Sequence, residues 1–230
     1  MCGRFLLYSS VETLERTFGL ELGDRRPNLQ PSWNIAPTQE VAVVGVKDGR
    51  RGLALMHWGL VPSWAKDRSL ASKMINARGE SVHTKPAFRA AFKSRRCLIP
   101  ADGFYEWRKV EGGKQPYLLE PAAGGPMALG GLFERWRDPE DGDLWSCTIV
   151  TTDASADIAH LHPRMPLVLT PDHWDAWLTA APDAARGLIG PAPEGTLRFR
   201  PVDKRVNNVR NDDPDLIAPP PEQQGLDLPR

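Results

Sequence analysis

The chain has 230 residues, 41% of them hydrophobic and eight of them tryptophan, which suits one packed domain and excludes a wholly disordered chain. No apolar run approaches the roughly 20 residues needed to span a bilayer, and the first residues lack a basic-then-apolar leader, so a cytoplasmic protein with no membrane partner is expected. The formal charge is zero, yet residues 1–100 hold 16 Lys and Arg against 8 Asp and Glu, and residues 101–230 hold 13 against 21. That asymmetry fits a polyanion-facing surface, unless folding interleaves the two halves and cancels it.

In chain order, Cys2 to Tyr8 reads as a short strand, and Ser9 with Glu12 three residues on has the form of a capping box opening a helix through Phe18. Asp24 to Thr38, with Pro27, Pro31 and Pro37, reads as surface loop. Val41–Lys47 and Leu53–Trp58 flank Asp48-Gly49, a hairpin signal. The pattern is helical from Gly79 to Arg95, with Pro86 suited to a helix start. Five strand-like segments follow: Cys97–Pro100, Gly103–Val110, Tyr117–Glu120, Met127–Arg135 and Leu144–Thr152. A short helix around Ser155–His160, a strand at Pro166–Leu169, a helix over Asp172–Thr179 and a last strand at Leu197–Val202 complete the elements. Many short strands without βαβ alternation predict an α+β fold, a single domain over residues 1–213 with a curved, barrel-like mixed sheet flanked by short helices. The Pro-rich residues 214–230 are expected to form a disordered tail.

Chemistry concentrates in four polar segments. Cys2 follows Met1, and a small second residue favours methionine removal; the mature chain would carry a thiol and an α-amine on one carbon. Those groups together convert an aldehyde to a thiazolidine, and ordinary pKa values of roughly 7.7–8.0 and about 8.5 leave usable fractions of both nucleophiles at neutral pH. Asn76 and Arg78 alternate with apolar residues and would share one strand face, fit to hold a carbonyl and a phosphate, although a solvated strand face carries the same residues. Glu106 lies between Tyr105 and Trp107, surroundings that raise a carboxylate pKa and suit a proton shuttle. His160 and His162 precede an apolar strand, where either is as compatible with packing as with chemistry. Trp58 and Trp64 flank a loop leading to Lys66, Arg68 and Lys73; the rings would stack on exposed bases or else belong to the core. Cys2, Cys97 and Cys147 form no close pair, so neither a disulfide framework nor a metal site is expected.

In order, Met1-Cys2-Gly3-Arg4-Phe5, Trp33-Asn34-Ile35-Ala36-Pro37-Thr38, Trp58-Gly59-Leu60-Val61-Pro62, Asn76-Ala77-Arg78-Gly79-Glu80, Arg96-Cys97-Leu98-Ile99-Pro100 with Gly103-Phe104-Tyr105-Glu106-Trp107, and His162-Pro163-Arg164-Met165-Pro166 closely resemble the SOS-response-associated peptidase (SRAP) family of abasic-site-processing proteins. The resemblance covers residue 2 to about Asp213. It implies a DNA-damage protein that binds single-stranded DNA and joins Cys2, after removal of Met1, to the aldehyde of an opened abasic sugar. Its enzyme class would be a thiol autopeptidase acting on its own Met1, with lyase activity as an open question. By motif, Cys2 would be the nucleophile, Asn76 would position the opened sugar, Glu106 would move protons and assist Met1 removal, and His162 would assist ring opening. Arg4, Arg78 and Arg164 would meet phosphates, and Trp58 and Trp64 would lie at the DNA. No cofactor or metal is implied, and a monomer is expected, associated with the nucleoid when on DNA. The loop Ala65-Lys66-Asp67 lacks the second aromatic that some relatives carry. An N-terminal-nucleophile amidotransferase, a thiol peptidase using Cys2, His162 and Glu106, and a non-covalent single-strand binder are the competing readings.

Overall fold

Asp48 and Gly49 both adopt positive φ, 52° and 76°, the conformation of the tight turn that matches strand twist in a two-residue hairpin. The hairpin they close seeds a barrel. The structure is a computed structural model and describes residues 2–24, 26–138 and 142–220. In chain order it forms β1 (Phe5–Leu7), α1 (Val11–Phe18), β2 (Ser32–Ile35), β3 (Glu40–Lys47), β4 (Arg50–Trp58), β5 (Asn76–Arg78), α2 (Arg89–Ser94), β6 (Arg96–Ala101) and β7 (Gly103–Val110). Then follow β8 (Gly113–Pro121), β9 (Met127–Asp138), β10 (Gly142–Asp153), β11 (Arg164–Pro166), β12 (Val168–Leu169), α3 (Pro171–Thr179), α4 (Pro182–Arg186) and β13 (Leu197–Pro201).

Strands β10, β4, β3, β6 and β9 pair in that order, and the β9–β10 hairpin closes the ring. The β4–β10 contact is parallel and the other ring pairings are antiparallel, which makes a five-stranded mixed barrel with β5, β11 and β12 on its rim. The predicted α+β class and barrel-like sheet are thus present. A second, antiparallel sheet runs β13-β8-β7-β1-β2.

The second sheet is apolar on both faces. Phe5, Leu7, Phe104 and Leu119 join the main core, whereas Leu6, Tyr105 and Leu118 alternate to the other face and pack with Val202, Val206 and Leu216. The segment from Val202 to Ile217 therefore roofs the sheet. Asn34, 1% exposed, fastens it: Nδ2 lies 3.3, 3.1 and 2.7 Å from the carbonyls of Val206, Asn208 and Asn211.

Several local expectations give way to tertiary contacts. Ser10, not Ser9, caps α1, its Oγ accepting from Thr13 N–H, because Ser9 donates its hydroxyl to Asp102 at 2.6 Å. The supposed loop Asp24–Thr38 contains β2, which forms because β1 offers it an edge. Only Arg89–Ser94 is α-helical within Gly79–Arg95; the preceding residues are consumed in turns such as Ser81 to Arg78 and Lys85 to Ser81. Ser155–His160 is likewise a series of turns. The domain does not end at 213: Pro214–Ile217 forms a 3₁₀ turn with Leu216 fully buried. The rest of the expected tail, 221–230, lies outside the described residues. Among the described residues no helix is long and apolar enough to cross a membrane.

Leu216→Ala should cost about 2–5 kcal/mol in urea unfolding, the usual range for a buried leucine; an unchanged midpoint would show that the roof is not part of the folding unit.

Candidate active site

The register of β1 against β7 brings the start of the chain to the acidic motif. Phe5 faces Phe104, and Tyr105 N–H donates to the Arg4 carbonyl at 2.9 Å, so Gly3 and Cys2 run on alongside Glu106 and Trp107. Asn76 arrives on β5, whose Ala77 is buried and whose Asn76 and Arg78 share the other face. Its Nδ2 donates to the Cys2 carbonyl at 2.7 Å, while its buried Oδ1 has no partner among the described residues. The amide therefore ties the first residues to the barrel rim and keeps an acceptor available.

Cys2 is fully buried and Glu106 is 4% exposed. Burial pushes the Cys2 thiol pKa well above its ordinary value, and the Glu106 charge adds to the rise. Burial also raises the Glu106 pKa, as its sequence neighbours suggested, and the His162 charge partly offsets this. Cys2, Asn76, Glu106 and His162 thus form one connected cluster.

His162 is held by its own turn. Nδ1 lies 3.0 Å from both the N and the O of Arg164; where it accepts the N–H, the ring proton resides on Nε2. Arg164 is fixed in turn: Nη1 donates to Glu80 at 2.6 Å and to Asp153 at 2.7 Å, and Nη2 to the Thr151 carbonyl at 2.8 Å. That hydrogen bonding holds the Glu80 carboxyl below the usual range. His160, by contrast, is exposed and packs edge-on against Phe199 at 5.1 Å.

The expected DNA contacts separate into two kinds. Trp58 is fully buried, edge-on to Phe5 at 5.1 Å with its indole N–H on the Ile75 carbonyl at 2.9 Å, so it is a core residue and not a base-stacking one. Trp64 is 60% exposed. Its loop is braced: Trp136 donates to the Ala65 carbonyl at 2.7 Å and Arg68 pairs with Asp138 at 2.7 Å. Gly59 opens the loop at φ +135°, where a Cβ would meet the Ala71 oxygen at 2.5 Å. Arg78 is exposed. Arg4 is already committed, donating to Asn34 at 2.7 Å and the Val206 carbonyl at 2.9 Å and lying 5.8 Å over the Trp107 ring. Arg4 and Arg164 are therefore tied into the frame of the site, whereas Arg78 stands open to solvent. Asn34, Glu80 and Asp153, which set these braces, carried no assigned role in the sequence, although Asn34 and Glu80 lie inside the quoted motifs. Among the described residues no three His, Cys, Asp or Glu side chains come together as a metal site.

Comparison with known proteins yields one family and a consistent set of relatives. The profile "SOS response associated peptidase (SRAP)" matches residues 1–209. The chain is 36% identical over 222 residues to the abasic site processing protein YoqW of Bacillus subtilis, covering 94% of this chain and 99% of that one. It is 34% identical over 230 residues to the abasic site processing protein HMCES of Gallus gallus, covering 85% of this chain and 68% of the relative. Crystal structures of proteins from Bacteroides thetaiotaomicron and Bordetella bronchiseptica superpose with TM-scores of 0.85 and 0.77 at 20% and 26% identity, covering 95% and 88% of this chain and 99% and 100% of theirs.

Because Glu106 binds its proton more tightly folded than unfolded, that contribution to stability is complete below the ordinary carboxylate pKa and is lost as pH rises through the raised value. Glu106→Gln should therefore raise the thermal midpoint at about pH 7, with the gain shrinking towards about pH 4; a lower midpoint at neutral pH would contradict the strained carboxylate.

Proposed function

The chain belongs to the SOS response associated peptidase family, and from that premise we propose that it processes abasic sites in single-stranded DNA by joining Cys2 to the ring-opened sugar as a thiazolidine. The observation that carries this reading is the 2.7 Å hydrogen bond from Asn76 to the Cys2 carbonyl, which fixes the aminothiol-bearing residue beside Glu106.

The chemistry requires loss of Met1, because only then does Cys2 present an α-amine. The neutral amine adds to the aldehyde carbon, water leaves, and a Schiff base forms. The thiol then adds to the imine carbon; its proton ends on the ring nitrogen, so aldehyde plus aminothiol gives thiazolidine plus water. A thiol held protonated by burial and by Glu106 is a poor first attacker, which makes the amine the first nucleophile. Glu106, with its raised pKa, takes the proton from the amine and returns it to the departing hydroxyl. Asn76 Oδ1 is the acceptor for a hydroxyl of the opened sugar, and His162 moves the proton at ring opening and closing.

On the DNA side, Arg78 is the phosphate contact and Trp64 the stacking platform. Specificity comes from the aldehyde and from single-strandedness, since a missing base leaves nothing to flip. A general thiol peptidase would need a thiolate, and both burial and Glu106 oppose one.

Mixed with an abasic single-stranded oligonucleotide, the protein should give an adduct that survives denaturing electrophoresis, and Cys2→Ala should give none of comparable stability. Asn76→Ala should slow adduct formation about 10²-fold, the scale of one lost positioning donor. His162→Ala should slow it by about 10²-fold or more, with His160→Ala unchanged; the reverse ranking would overturn the choice of histidine.

A further inference from the structure

Beyond β5 the chain turns through residues 79–88 into α2, and a cleft of about 470 Å³ opens between α2 and α4, lined by His83, Arg89, Lys93, Asp183 and Arg186 among others. Three permanent cations face one carboxylate there. None of Arg89, Lys93 and Arg186 is ion-paired among the described residues, although their neighbour Arg95 is paired with Glu134 at 2.7 Å. Arg96 beside it is occupied too, with its guanidinium on the carbonyls of Phe92, Lys93, Trp177 and Ala180. Three cations against a single carboxylate leave an excess of positive charge, and an anion between them offsets their repulsion. A fourth group points the same way: His83 Nδ1 is buried and has no hydrogen-bond partner among the described residues.

The cleft is joined to the site by packing. Gly79, next to Arg78, lies so near the segment after α4 that a Cβ would sit 2.4 Å from Ile189 Cγ2. Ile189 follows the cleft-lining Arg186 by three residues, so the end of α4 is held close to the strand that carries Asn76 and Arg78. We propose that this cleft is a second phosphate site, filled by the backbone of the same DNA strand some nucleotides away from the residue held at Cys2. The inference rests on the single-stranded DNA reading above and extends it: the strand would be gripped at Arg78 and again at Arg89, Lys93 and Arg186. A free phosphate-bearing small molecule offers the same chemistry and is the alternative source.

The test compares the wild type with the triple variant Arg89→Gln, Lys93→Gln, Arg186→Gln, and with Arg186→Gln alone should the triple variant fold poorly. Binding of undamaged single-stranded oligonucleotides of increasing length is followed by fluorescence anisotropy over a salt series. For long strands the triple variant should bind roughly tenfold more weakly, with the log–log salt slope reduced by about 2, near 0.7 for each lost cation; the single variant should lower the slope by about 0.7. The shortest strands should bind both proteins alike, and crosslinking of a short abasic oligonucleotide should be unchanged, so failure here leaves the Cys2 chemistry standing. Equal slopes at every length would overturn the proposal. Equal slopes together with His83 resonances that move on titration with inorganic phosphate would overturn the DNA assignment in favour of a free phosphate ligand.

Discussion

Strand β10 changes neighbours along its length, and the geometry of the site depends on that exchange. Its first eight residues pair with β9 and close the barrel. On the other edge Ser146 and Cys147 pair with β4 and Ile149 to Thr151 with β5, while Thr151 to Asp153 pair with β11 on the edge that β9 has left. β5 and β11 have three residues each, too short to persist without a partner, and they form because β10 presents backbone groups that must be satisfied. One delivers Asn76 and the other sets the Arg164 turn that holds His162. The site is thus a by-product of barrel closure, placed by a strand whose second half is buried from Ser146 to Thr152.

Against this rigid frame stands a costly pair. A fully buried thiol and a nearly buried carboxylate lie together; burial raises the pKa of both, and the Glu106 charge raises that of the thiol further. Packing alone gives no reason to put Glu106 there. A carboxylate that readily takes and returns a proton beside an aminothiol is what condensation with an aldehyde needs. The braces around the pair serve the same end. Glu80 and Asp153 immobilise Arg164, and Asn34 immobilises Arg4 together with the roof over the second sheet. Stability spent at Glu106 is offset by a sheet buried on both faces.

What was legible in the sequence was mostly local. Asp48-Gly49 announced its hairpin because two residues suffice to make that turn, and the long strands announced themselves by composition. Residues whose fate is decided at long range were misread. Ser9 was the apparent cap until Asp102, more than ninety positions away, took its hydroxyl. β2 has the composition of a loop and becomes a strand through its partner. Trp58 and Trp64 looked alike in the sequence, yet one is sealed against Phe5 and the other stands in solvent. Arg4 and Arg164 are held by partners 30 and 84 positions away, which no local pattern announces. Leu216 was lost in a proline-rich stretch that hid one buried side chain. The four-residue cluster itself was legible only through its ordered motifs; singly, Asn76 and His162 also had a plain structural reading.

The central claim is covalent, so the most direct measurement is the intact mass of the adduct with an abasic oligonucleotide, with and without borohydride. The expected species is the protein lacking Met1 plus the oligonucleotide minus one water, unchanged by borohydride because the thiazolidine has no imine left to reduce. A crosslinked species that retains Met1, or one that takes up hydrogen from borohydride and forms equally well with Cys2→Ala, would contradict it.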